Sequence, residues 1–86
     1  MKKAAAEKPI GAVTHFYGGL SVAIVKFSKA VARGQSVRFK GATTDFTQEL
    51  SSMQFDHREI EKAAKGKEVG VKVKEKVREG DEVFEA

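Results

Sequence analysis

Apolar and polar residues alternate with a period of two along much of this chain, in short runs punctuated by glycine. Val37 and Phe39 fall on one side of Ser36–Lys40, and Ser36, Arg38 and Lys40 on the other. Val69, Val71 and Val73 alternate in the same way with Gly70, Lys72 and Lys74. Ile10–Phe16, after Pro9, is apolar, β-branched and aromatic and reads as the first strand, while Ser21–Phe27 is too continuous for simple alternation, as a strand in a curved, closed sheet would be. Glu82–Glu85 closes the series.

Turn chemistry separates these runs. Tyr17-Gly18-Gly19-Leu20 predicts a tight hairpin with positive φ at the glycines, and Gly41–Thr44 a second turn. Ser28–Gly34 reads as a basic connection without strand pattern. In Asp45–Phe55, Phe46 and Leu50 have even parity but Met53 and Phe55 odd, which predicts a β-bulge at Ser51-Ser52. Asp56–Gly66 carries a capping-box-like Asp56/Glu59 pair and predicts a loop with at most one helical turn. Arg33-Gly34-Gln35-Ser36-Val37 and Glu79-Gly80-Asp81-Glu82-Val83 form a faint internal repeat, each a glycine corner followed by an inward valine.

Together these runs predict an all-β fold: a six-stranded closed antiparallel Greek-key barrel over residues 9–86, preceded by a flexible basic tail, residues 1–8. The expected core holds Val37, Phe39, Phe46, Leu50, Met53, Phe55, Val69, Val71 and Val73. At 86 residues the chain has length for one core, and without cysteine that core has no disulfide or thiolate–metal support.

Charge changes the picture by its distribution. The net charge is +4, but the basic and acidic residues come in blocks. Leu20–Gly41 holds Lys26, Lys29, Arg33, Arg38 and Lys40 without an acid, and Lys62–Arg78 is again strongly basic. Asp45–Glu61 and Glu79–Ala86 are acidic. Such segregation suggests a folded surface with distinct basic and acidic faces. No apolar stretch approaches a signal-peptide core or a membrane span, so the expectation is a cytoplasmic monomer without membrane contact.

The arrangement Gly11-x-Val13, Ala30 to Val37, Glu49 to Gln54, and Glu61 to Val71 running on to Val77-Arg78-Glu79-Gly80-Asp81-Glu82-Val83 resembles domain 2 of the translational GTPases, such as elongation factor Tu and initiation factor 2. The stretch Gly41 to Gln48 is similar to small stand-alone translation elongation factor-like proteins. The resemblance covers about Ile10 to Phe84 and implies a β-barrel that meets ribosomal RNA or tRNA. Gln35 departs from it, standing where Asp is usual. No G-x-x-x-x-G-K-(S/T) phosphate loop is present, so no nucleotide is expected.

The candidate chemistry is therefore binding. Arg38 and Lys40 on one strand, and Lys72 and Lys74 on another with Lys76 and Arg78 extending the row, could track phosphates. Phe16, Tyr17 and Phe84 could offer stacking platforms. The plainer reading of the same lysines is solubilising cover. His15 and His57, with Asp56 or Glu59, make a poor metal set because they lie on separate elements. Asp56-His57-Arg58-Glu59 could supply acid/base groups, though a charged loop explains it as well. No catalytic constellation, cofactor or metal is expected. The leading expectation is a non-catalytic RNA- or ribosome-associated module. The alternative is a docking barrel for a larger enzyme or factor.

Overall fold

A computed structural model describes residues 9–56 and 58–86; the predicted tail and His57 lie outside them. The described chain is all-β. Its strands are β1 (Gly11–Tyr17), β2 (Val22–Phe27), β3 (Val31–Ala32), β4 (Ser36–Lys40), β5 (Asp45–Glu49), β6 (Met53–Phe55), β7 (Arg58–Glu59), β8 (Lys62–Ala63), β9 (Glu68–Lys72) and β10 (Glu82–Glu85). Eight of them form one antiparallel sheet in the order β5-β4-β10-β1-β2-β9-β6-β7, while β3 and β8 pair separately.

The sheet curls because β5 and β6 are consecutive in sequence, yet β5 stands first and β6 next to last in that order. Only Leu50–Ser52 joins them, so the two ends must approach one another. A seam remains where no ladder forms, and Gln48 stitches it. Its side-chain Nε2 donates to the Lys72 carbonyl at 2.8 Å, and its Oε1 accepts from the Lys74 N–H at 2.9 Å. One amide thereby supplies both partners that a neighbouring strand would offer. The fold is a curled eight-stranded half-barrel, and the expectation of a closed six-stranded barrel is corrected accordingly.

Inside the curl lie Val13, Ala23, Val25, Phe27, Val37, Phe39, Phe46, Leu50, Met53, Val69, Val71, Val73, Val77 and Val83, all buried. Phe39 and Phe46 are directly opposed on β4 and β5, with ring centroids 5.1 Å apart. That offset contact adds to what burial alone contributes. Val31 on β3 and Ala63 on β8 complete one end of the core.

Three corners share one construction. Gly34, Gly66 and Gly80 have φ of 94°, 83° and 93°. Each is the third residue of a turn closed by an N–H of the next residue, from Gln35, Lys67 and Asp81 to the carbonyls of Ala32, Ala64 and Arg78. Each glycine N–H also donates, at 2.8 Å, to a distant carbonyl: Leu50, Phe27 and Val13 respectively. Three residues further on comes a buried valine, Val37, Val69 or Val83. The sequence repeat thus marks two of three equivalent corners. Gln35 even keeps the side-chain contact of Asp81: Gln35 Oε1 accepts from Ala32 N–H at 3.3 Å, as Asp81 Oδ2 does from Arg78 N–H at 2.9 Å.

Other expectations shift. The parity change in Asp45–Phe55 comes from a strand break at Leu50–Ser52, and the register shift falls in β1, between Val13 and His15. Phe55 is not core; it is 40% exposed, beneath the Lys67 ammonium. The β1–β2 hairpin forms, but the left-handed residue at its tip is Ser21, with φ of 56°, and neither Gly18 nor Gly19 has positive φ. Asp56–Gly66 contains no helical turn among its described residues; it supplies β7 and β8. Two-residue strands are too short to leave a periodicity, which is why β3, β7 and β8 escaped the pattern.

Candidate functional site: the outer face of the sheet

The predicted cationic rows do not assemble into a basic face. Arg38 and Lys40 do share the outer side of β4, but β4 lies between two acidic strands. Lys40 is opposite Asp45 on β5 and Glu82 on β10. Arg38 grips Asp45 with two bonds, Nε–Oδ1 and Nη2–Oδ2, both 2.8 Å. That bidentate bond is the largest cause holding the Asp45 carboxyl below its ordinary pKa. Antiparallel pairing thus sets basic and acidic blocks side by side, and segregation along the chain becomes mixing in space.

The second row breaks for a different reason. β9 ends at Lys72, so Lys74, Lys76 and Arg78 belong to the β9–β10 connection and share no strand face. Lys72 and Lys74 line an open groove of about 490 Å³ along the seam together with Glu49. Of the stacking candidates, Phe16 packs against the core and Phe84 is half-buried, which leaves Tyr17 exposed.

His15 sits 3.0 Å from Glu79 through Nδ1 and its ring lies 4.3 Å from that of Tyr17. No group of three or more His, Cys, Asp or Glu that could hold a metal occurs among the described residues. Arg58 and Glu59 are exposed on β7, and Glu59 lies 3.8 Å from Arg33. No helix among the described residues is long and apolar enough to cross a membrane.

The outer face of β1–β2 has a different character. Its outward positions are Ala12, Thr14, His15 and Tyr17 on β1, and Val22, Ile24 and Lys26 on β2. Tyr17 is 47% exposed and Leu20, at the hairpin tip, 65%. Val22 and Ile24 are half-buried, leaning over Gly70 on β9, where a β-carbon would lie 3.3 Å from Val22 and 3.6 Å from Ile24. At the other end of the hairpin, small Ala12 leaves an apolar groove of about 460 Å³ bordered by Pro9, Thr14 and Lys26. Sequence reasoning noticed the apolar density of Ser21–Phe27 but assigned it to curvature, and so missed this face.

Comparison with known proteins locates the fold. No protein-family model matches the sequence. The chain is 41% identical over 76 residues to an uncharacterized protease of Methanocaldococcus jannaschii; the match covers 87% of this chain but 19% of that protein. The crystal structure of the C-terminal domain of a putative U32 peptidase from Geobacillus thermoleovorans superposes with a TM-score of 0.85 at 21% identity, covering 100% of this chain and 99% of that one. Its selenomethionine variant gives 0.84 at 22% identity, covering 91% and 99%. At these identities the structures establish a common fold. The relative is named a protease and the structures sharing this fold are C-terminal domains of a putative U32 peptidase, so the resemblance to domain 2 of the translational GTPases is corrected. The expectations of an RNA- or ribosome-bound module and of a role in protein synthesis fall with it. In this chain the glycine corners with buried valines three residues on serve the folding of the sheet, and a shared fold does not carry a shared function.

Proposed function

We propose that this chain is an accessory β-domain that works as a docking module for a U32-type peptidase, itself supplying no catalytic group. The observation that carries the reading is the 41% identity to a protein named a protease, of which the chain spans only about a fifth. The structural neighbours add that a piece of this size and shape occurs as the C-terminal domain of a putative U32 peptidase. The outer face of β1–β2 supports the same reading, since an apolar outer strand face needs a partner to cover it.

The reading is tested in the full-length M. jannaschii protease, with its matched segment replaced by residues 9–86 of this chain and a specific cleavage site placed at the junction. After folding and cleavage, the domain should co-elute with the remainder of the protease on gel filtration. A domain that separates cleanly at micromolar concentration would contradict docking.

A further inference from the structure

Resting on the docking reading, we infer that the outer face of the β1–β2 hairpin, centred on Tyr17, Leu20, Val22 and Ile24, is the surface that seats the body of a U32-type peptidase. Those four residues form one stripe. Tyr17 and Val22 are cross-strand partners, Ile24 follows on the same face, and Leu20 stands at the tip between the strands. Gly70, opposite Ile24 on β9, keeps the adjoining sheet low, so Val22 and Ile24 rest on backbone. Lys26 and Lys72 border the stripe with charge. An apolar centre with a polar rim, holding a Tyr, is the composition of an interface core.

The occupant follows from what lies beyond this fold in its relative. In the M. jannaschii protease, about four-fifths of the protein lies outside the matched region, so a domain of this kind is joined there to a body several times its size. On the docking reading, that body rests against one face of the domain. The β4 face offers only cations already opposed by acids, with Arg38 held by Asp45. The hairpin face offers apolar groups still open to solvent, with Tyr17 47% and Leu20 65% exposed. The hydrophobic effect therefore selects the hairpin face.

The cleaved chimeric protease again provides the assay, with association of the two parts measured by titration. Leu20→Glu and Ile24→Lys should each weaken it roughly thirtyfold or more, and Tyr17→Ala roughly tenfold. Lys40→Glu, on the β4 face, should leave it within about twofold. Circular dichroism and the thermal midpoint of each variant confirm that the domain itself is folded. If the unsubstituted domain fails to associate, the docking reading is lost. If it associates and the three hairpin variants bind as well as it does, the docking reading stands and this surface assignment is overturned. A concentration-dependent dimer of the isolated 86-residue chain, abolished by Ile24→Lys, would also overturn it, because a second copy would then own the stripe.

Discussion

On their inner sides, β1–β2 contributes Val13, Ala23, Val25 and Phe27 to the core, and β4–β5 contributes Val37, Phe39 and Phe46. Both hairpins pair antiparallel and both serve the same interior. Their outer sides diverge. β4–β5 turns out Ser36, Arg38, Lys40, Asp45, Thr47 and Glu49, with Arg38 bound to Asp45 and Lys40 opposite Asp45 and Glu82. β1–β2 turns out Tyr17, Val22 and Ile24, apolar groups that meet one another, His15 and Gly70 and leave Tyr17 47% exposed. Inner faces answer to a single requirement, burial, so they converge. Outer faces answer to whatever lies outside, so they report function.

The comparison can be broken at its strongest point first. Phe39→Ala removes a fully buried ring stacked on Phe46 and should cost about 3–5 kcal/mol in urea unfolding, a large share of the stability of a chain this small. By contrast, Leu20→Glu on the other hairpin should change stability by no more than about 0.5 kcal/mol. Equal losses would mean that Leu20 belongs to the core after all.

Gln48 on β5 tests whether the seam is held by its amide. Gln48→Ala should destabilise by about 1 kcal/mol and speed amide exchange at Lys74 more than at Val71, which sits within the ladder. Uniform exchange changes would show that the amide is dispensable to the seam.

Ser21 sharpens the comparison at the β1–β2 tip, where a non-glycine residue holds a left-handed conformation. Ser21→Gly should raise stability by up to about 1 kcal/mol, since glycine adopts that φ without the side-chain clash. A loss would mean that the Ser21 side chain stabilises the turn.

The smallest effect is electrostatic. Arg38→Ala should raise the Asp45 carboxyl toward its ordinary range, with Lys40 still lowering it, followed by NMR titration. The sign follows from the direction of the shift: a carboxyl held low favours the fold above its unfolded pKa and loses that contribution as pH falls through the folded value. The variant's stability should therefore depend less on pH in the acidic range than that of the parent.

How much could be read from the chain is clearest at particular residues. Val37, Phe39, Val69 and Val71 announced their burial through strict alternation, and all four are core. Gly34 and Gly80 announced corners because their conformation is closed to other residues, and both have positive φ. Phe55 misled because parity describes a continuous strand, and the break at Leu50–Ser52 had already discarded it. The lysines misled for a reason that lies in topology. Charge blocks along a chain say nothing about which block will lie beside which, and here β4 came to rest between β5 and β10.

By itself, then, the sequence determined what depends on neighbours along the chain: strand periodicity, the glycine corners, and which side of β4 and of β9 turns inward. Those properties arise from backbone sterics and the two-residue pleat, which act over a few residues. The tertiary structure alone decided the sheet order, the Gln48 stitch across the seam, the neutralised face of β4 and the apolar stripe of β1–β2. Each depends on which distant segments become neighbours, a choice made by packing the whole core at once.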